Sequence, residues 1–439
     1  MKSRFAIYLI LSCLLITVVS SCGRNDISTK DYYMNCPDVG RFAGSSDEYI
    51  SGINLIPVKL DSMETSYVGY FWLNRDTLYF SDMYYYYIYS LRPDGSIIGR
   101  YVGRGQGPGE VKDFDISIPF SGGYYLHSTS MHYSYIFNSR WELTSQSPIY
   151  WGGKNKEGYR RINNPNPAEP IFYVDYVFSL LHDHHMQLWD STHVAVFIST
   201  GLPKLNAYFN TGLYYNYSRI LLLLNMYTGE VNRIFGRRSP VFLEKSNLPT
   251  MDNIGFAKVA DTVFVSFFPD SVIYMIDADE DRAIGKFGRQ GRNMNTEYVT
   301  TQTVEEAFAR QKEDWHTLGY YTYLKHDEKR QLLFRSYTQG AHSEYDGLQI
   351  YKDHALIGDV DVPKGFYIIG YLNEQLIGAI DDVEIKELDL YFYHVNFEIQ
   401  NASAMTPQAD TEVKDGNGLL TGENTFTNYE NKLFLFAGR

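Results

Sequence analysis

The sequence predicts an all-β protein, a six-bladed β-propeller with one inserted helix, preceded by a lipoprotein signal peptide. Three observations lead there. The 439-residue chain carries 39 Tyr and 26 Phe, with aromatics at 16% and apolar residues at 44%, a composition that favours strands and suffices for a large core. Short β-branched and aromatic runs are separated by Gly, Asp and Pro turns, the pattern of consecutive antiparallel strands. Finally, the chain repeats itself: Asp76-Thr77-Leu78-Tyr79-Phe80-Ser81 through Gly103-Arg104-Gly105-Gln106-Gly107 aligns with Asp261-Thr262-Val263-Phe264-Val265-Ser266 through Gly288-Arg289-Gln290-Gly291.

From the N-terminus, Lys2 and Arg4 precede an apolar stretch from Phe5 to Val19, too short to span a bilayer as a helix and suited to an export signal. Val19-Ser20-Ser21-Cys22 resembles a lipobox, in which small residues precede a cysteine that is acylated and becomes the mature N-terminus. We therefore divide the chain into a signal peptide (1–21), a lipid-anchored tether (22–48), a propeller (49–400), and a polar loop with a C-terminal strand at Leu433 to Phe436 (401–439). Asp26, Ser28, Thr29, Lys30 and Asp31 give the tether its polar character. With Cys13 in the signal and Cys22 lipidated, Cys36 is the sole remaining thiol and disulfides are excluded. The formal charge of −13 becomes two units more negative without Lys2 and Arg4, and such a surface repels phosphate backbones, so nucleic acid is not a partner.

Within 49–400, each repeat copy reads as about one propeller blade, since blades take about 40–50 residues for four strands. A third, partial copy runs from Leu221 to Arg237. More diverged blades fit Gly122 to Leu143, Tyr320 to Val362 and Phe366 to Phe397. Six blades result, or seven if Ser145 to Tyr217 hides an irregular one; the runner-up architecture is a pair of β-sandwiches. One terminus is expected to lend a strand that closes the ring. After Gly291 a helix interrupts the pattern: Thr303 and Glu306 form a capping box, and Val304, Ala307, Phe308, Gln311, Trp315 and Leu318 share one face.

The run Gly103-Arg104-Gly105-Gln106-Gly107-Pro108-Gly109-Glu110 resembles a segment of the NHL-like and TolB-like six-bladed propeller lipoproteins of Bacteroidota. Tyr320-Tyr321-Thr322-Tyr323, and Gln349-Ile350-Tyr351 through Pro363-Lys364-Gly365-Phe366, are similar to that group as well. The resemblance covers about Tyr49 to Phe397. It implies the fold and an envelope location, and brings no active site.

Candidate chemistry is sparse. The glycine-rich run lacks the Gly-Lys-Ser/Thr of a phosphate loop, and its recurrence at Gly288 and Gly236 reads as an inter-blade turn that needs positive φ. Asp277, Asp279 and Asp281 alternate as in a calcium loop, yet Arg282 stands where such a loop needs Gly, so a hairpin turn is the competing reading. His182, His184 and His185, with His193 nearby, offer imidazoles for zinc or copper but lack further ligands in sequence. Tyr84, Tyr85, Tyr86, Tyr87, Tyr124, Tyr125, Tyr214 and Tyr215 supply amphipathic faces suited to sugar rings or a protein partner, or else pack in the blades. No Gly-x-Ser-x-Gly elbow occurs, and adjacent Asp381 and Asp382 would point to opposite faces of a strand.

The sequence thus leads to a membrane-anchored binding or scaffold module for a glycan or protein partner. The membrane contact runs through the N-terminal lipid, no cofactor is expected beyond a calcium ion at the acidic loop, and the location is the cell envelope, at the outer membrane. The competing class is a metal-dependent polysaccharide hydrolase or lyase with its site in the propeller channel.

Overall fold

The computed structural model describes residues 27–42, 48–130, 132–149, 177–178, 185–200, 205–208, 211–245, 248–381 and 389–401. In chain order these hold helix α1 (Thr29–Met34), strands β1 (Arg41–Phe42) and β2 (Glu48–Lys59), and then a succession of sheets. The first comprises β3 (Gly69–Asn74), β4 (Thr77–Asp82), β5 (Tyr87–Leu91) and β6 (Ile97–Val102), hydrogen-bonded in that order. The second is β7 (Ile116–Phe120), β8 (Gly123–Ser128), β9 (Tyr133–Asn138) and β10 (Leu143–Pro148). The third gathers β11 (Val177–Phe178), β12 (Met186–Leu188), β13 (His193–Ser199), β14 (Leu221–Asn225) and β15 (Val231–Phe235), with helix α2 (Thr211–Tyr217) between β13 and β14. Short helix α3 (Val241–Glu244) leads into the fourth: β16 (Ile254–Val259), β17 (Thr262–Phe267), β18 (Ile273–Asp277) and β19 (Arg282–Phe287).

Helix α4 (Val304–Thr317) then precedes β20 (Tyr320–Asp327), β21 (Leu332–Thr338), β22 (Tyr345–Lys352), β23 (Ala355–Pro363), β24 (Phe366–Leu372), β25 (Gln375–Ile380) and β26 (Tyr391–Asn401). These seven strands join β1 and β2 in one nine-stranded sheet. Six separate sheets were expected. The structure has four and this large one, because β2 pairs antiparallel with β26 along its length and also parallel with β23 at Ile50↔Gly358. It is therefore the N-terminal strand β2 that flanks the last strands. The Ser145 to Tyr217 stretch hides no extra blade among the described residues, since its strands β11–β13 belong to the third sheet.

Apolar side chains form a circuit of clusters between successive sheets. Trp72, Tyr79 and Ile88 meet Tyr124, Leu126 and Phe137; Ile118, Tyr125 and Ile136 meet Val194, Val196 and Leu222; Phe197, Leu221 and Phe235 meet Phe256, Val265 and Ile276. Phe264 and Phe287 meet Leu333 and Tyr351, Leu348 and Val360 meet Ile368 and Val395, and Ile369, Ile377 and Phe392 return to Phe71, Phe80 and Leu91. The inner strands, such as β4, β8, β13 and β17, are thus covered on both faces and read as apolar runs, whereas outer strands such as β6 and β10 alternate. The sheets are arranged as a β-propeller.

Aromatics build these seams by stacking, which explains their number. Trp141 lies 3.8 Å from Tyr124 at 6° and 5.1 Å from Tyr101 at 13°, and Trp72 lies 4.2 Å from Tyr79 at 8°; such offset pairs add about 0.5–1.5 kcal/mol beyond burial.

The repeated glycine turn is structural. Gly103, Gly236 and Gly288 close the first, third and fourth sheets at φ of 120°, 73° and 114°, a region open to glycine and costly to other residues. A Cβ on Gly288 would stand 2.5 Å from the Ser271 carbonyl oxygen. Gly288→Ala is accordingly expected to cost about 1–3 kcal/mol, read as a lowered urea midpoint with an unchanged slope.

The segment read as a tether is docked instead over residues 27–42. Tyr32 and Tyr33 of α1 are buried in the seam between the third and fourth sheets. The Tyr33 hydroxyl donates to Arg237 O at 2.7 Å, and the Thr29 hydroxyl to Tyr215 O at 2.7 Å. Beyond α1 the chain adds to two outer edges in turn: Asp38 bridges Lys286 of β19, and β1 pairs parallel with Ala355 and Leu356 of β23. Covering exposed sheet edges in this way protects them from unwanted pairing. Cys36, within this docked strap, is itself buried, and burial raises its thiol pKa.

Helix α4 begins as its capping box predicts, Thr303 Oγ1 accepting from Glu306 N, while the Glu306 carboxylate reaches back one residue further to Gln302 N. Ala307 and Leu318 are buried and Trp315 donates to Thr250 O at 2.7 Å, but Phe308 is exposed and stacks on Tyr208 at 5.0 Å.

Candidate functional site: a polar groove on the loop-rich face

Because strands alternate in direction within each sheet, the connections fall on two faces. Among the described residues, one carries only turns of two to five residues, such as 75–76, 260–261 and 353–354. The opposite face collects the long connections among the described residues, including 103–115, 236–253, 288–319 and 339–344, together with α2, α3 and α4. Long loops on a rigid scaffold are where binding residues concentrate.

On that face the link after β19 and the β21–β22 connection enclose a solvent-open groove of about 740 Å³, lined by Asn293, Met294, Asn295, Thr296, Glu297, Gln339, His342 and Ser343. Its walls are tied to one another. Asn295 N donates to Gln339 O at 3.1 Å, the Asn295 side-chain amide to Thr317 O at 3.0 Å, and Glu297 N to Asn295 Oδ1 at 3.2 Å. His342 Nε2 lies 2.9 Å from Asn293 O. Asn293 itself sits at φ 54°, a left-handed conformation that asparagine tolerates well. Exposed Tyr345, whose amide donates to Ser343 Oγ at 3.1 Å, adjoins the groove.

Beneath the groove lies a polar network, half-exposed at Arg292 and Asp361 and buried at Tyr337, Asp359, Gln349 and Arg335. Gln339 donates to Asp361 Oδ1 at 3.0 Å, and Asp361 pairs with Arg292 at 3.2 Å. Tyr337 donates to Asp359 at 2.7 Å and accepts from Arg292 N at 2.9 Å. Gln349 links Asp359 to Arg335, a fully buried guanidinium that donates to Gln349 Oε1, Ser271 O, Arg289 O and Tyr351 Oη and lies 3.8 Å over the Tyr321 ring. Burial raises the Asp359 carboxyl above its ordinary value, against the hydrogen bonds from Tyr337 and Gln349. The groove is therefore held by residues locked from below, a preorganised arrangement that lowers the ordering cost of binding.

The residues singled out from sequence do not converge here. Tyr84 and Tyr85 are 53% and 47% exposed beside the first sheet, with half-buried Tyr86 and Tyr87 carrying Arg104 at 5.7 Å and Arg100 at 4.4 Å over their rings. Tyr124, Tyr125, Tyr214 and Tyr215 are interior, so they offer no face to a ligand. Tyr124 points into one seam and Tyr125 into the next. The Asp277, Asp279 and Asp281 turn is engaged internally: Asp277 accepts from Asp279 N and Glu280 N, Asp279 pairs with Arg233 at 2.8 Å, and Asp281 accepts from Gly236 N at 2.7 Å and faces Arg237 at 3.3 Å. These are the bonds of a hairpin turn and an inter-sheet clamp. Among the described residues no group of three or more His, Cys, Asp or Glu is placed to hold a metal.

His182 and His184 lie outside the described residues, as do Cys22, the 1–21 segment and the 401–439 tail save Asn401. His185 is buried with Nε2 2.9 Å from Ile254 O, whereas His193 contacts Asp190 and Asn232. His127, on β8, is buried and its pKa is pushed down to about 3, chiefly by burial. A histidine with a lowered folded pKa adds stability above its unfolded value near 6.5 and loses it as pH falls toward 3. The wild type is thus expected to lose on the order of 3 kcal/mol relative to His127→Gln between pH 7 and pH 4, a difference that paired urea titrations would read.

The sequence matches no protein-family description and no curated protein. Solved structures do align with it. A member of the duf4221 family from Bacteroides vulgatus matches at 13% identity with a TM-score of 0.57, covering 82% of this chain and all of that one. The chain shares its fold with a Bacteroides protein. A protein from Bacteroides fragilis named as exported aligns at 11% identity and a TM-score of 0.47 over 82% of this chain and 98% of its own. A Bacteroides caccae protein of unknown function aligns at 8% and 0.36 over 72% and 98%. No helix among the described residues is long and apolar enough to cross a membrane.

Proposed function

We propose that the protein is a non-enzymatic binding module, lipid-anchored in the cell envelope through Cys22, whose loop-rich face takes a neutral, hydroxyl-rich ligand such as a glycan chain. The groove carries this reading. Of its eight lining residues, Asn293, Thr296 and Ser343 are uncharged hydrogen-bonding groups outside the core, able both to donate and to accept, which is what a sugar hydroxyl requires. Tyr345 adds a flat amphipathic ring beside them. Glu297 and a chain charge of −13 disfavour anionic ligands.

In the same reading the propeller counts as six-bladed. The large sheet consists of two four-stranded runs, β20 to β23 and β24 to β26 with β2, that adjoin through β2 at Ile50↔Gly358, and the six apolar clusters form one circuit. The resemblance to NHL-like and TolB-like lipoproteins and the signal ending at Cys22 support the anchor.

The test is a melting series of residues 23–439 against neutral oligosaccharides. A ligand at a hundred times its dissociation constant is expected to add about 2.7 kcal/mol of stability. The gain should shrink by about 1.4 kcal/mol or more, a tenfold loss of affinity, when His342→Ala and Thr296→Ala are combined. A shift that the double variant retains in full would place binding elsewhere.

A further inference from the structure

We infer that the flank of the propeller around α1 faces the membrane at close range, with Ile27, Lys30 and Met34 directed at the lipid headgroups. This rests on the lipid anchor at Cys22 proposed above, and adds to it an orientation that the anchor alone does not supply. A flexible tether of twenty-six residues between lipid and domain would leave the domain free to turn. The docked strap removes that freedom. Tyr32 and Tyr33 are buried, Thr29 donates to Tyr215 O, and Arg237 Nε donates to Ile27 O at 3.3 Å, so the body takes hold of the chain at Ile27. From Cys22 to Ile27 there are five residues, a reach of at most about 18 Å when fully extended. The seam between the third and fourth sheets, where α1 lies, must then stay within that distance of the acylated residue.

The outward side of α1 suits such a neighbour. Ile27 is 53% and Met34 61% exposed, Val39 further along the strap is exposed too, and Lys30 is exposed between them. Lys30 and Met34, four residues apart, share one face of α1, and Ile27 lies just before its N-cap Ser28. Apolar groups flanking a lysine bury into the headgroup region while the ammonium remains with lipid phosphates. The occupant of this patch is thus the bilayer surface itself, and the short leash supplies the effective concentration that so small a patch lacks on its own.

Spin labels at Asn35→Cys on the strap and Ile98→Cys on β6 of the first sheet, each in a Cys36→Ala background, test this in the full lipidated chain. The protein is reconstituted on phosphatidylethanolamine and phosphatidylglycerol vesicles that carry a nickel-chelating lipid. Relaxation by the membrane-bound nickel is expected to be several-fold stronger at position 35 than at 98. Equal relaxation at both positions, in protein that still floats with the vesicles, would overturn the orientation and leave the anchor standing. Protein that neither floats nor carries acyl mass on Cys22 would overturn the anchor, and the orientation with it.

Discussion

Arg335→Met is expected to lower the unfolding free energy by about 3–5 kcal/mol, the range for removing one member of a buried charged network. The guanidinium is fully buried and reaches Gln349, Ser271 O, Arg289 O and Tyr351 with its three nitrogens. Methionine fills similar volume but leaves Ser271 O without its donor and takes one bond each from Gln349 Oε1, which keeps the Tyr351 hydroxyl, and from Arg289 O, which keeps Tyr321 and Gln349; a buried orphan costs about 1–3 kcal/mol. The charge matters as well, because Arg335 lowers the pKa values of Asp270 and Asp359, which burial otherwise raises. Arg335→Lys should recover only part of the loss, since lysine keeps the charge without the planar fork. Urea denaturation of the three proteins reads the order directly, and a methionine variant as stable as wild type would show that the network is dispensable.

Tyr33→Ala is expected to cost about 3–5 kcal/mol, as other large buried aromatics do. Its ring lies 4.3 Å from Tyr274 and 4.9 Å from Tyr32, and its hydroxyl bonds the Arg237 carbonyl. The loss should appear as release of the strap, with proteolysis in residues 27–42 at protease levels that leave wild type intact. Loss of stability without that sensitivity would mean that the strap stays in place by other contacts.

The repeat at Asp76 and Asp261 made the fold legible, because both copies preserve the apolar runs and the glycine that ends each sheet at positive φ. The helix at Thr303 was legible from its cap alone. Phe308 was not, since the periodicity that placed it on the covered face has no knowledge of how far the neighbouring loops extend. Tyrosine pairs such as Tyr124-Tyr125 misled because alternation implies one solvent face, whereas an inner strand such as β8 is packed on both. The strap looked like a tether by polarity. Its signal was local: Ser28 Oγ caps Asp31 N at 3.2 Å, a cap that opens a helix with two consecutive tyrosines. The groove had no linear signature at all, since residues 293–297 and 339–343 come together only when the fourth sheet is placed beside β21 and β22. The one available hint was the interruption after Gly291, where the blade pattern breaks.

Amide hydrogen exchange with and without the neutral oligosaccharide that most raises the melting temperature tests the central claim. The account predicts slowed exchange confined to residues 293–297 and 339–345 on the loop-rich face. Protection on the short-turn face or around Tyr84 and Tyr85, with the groove unchanged, would contradict it.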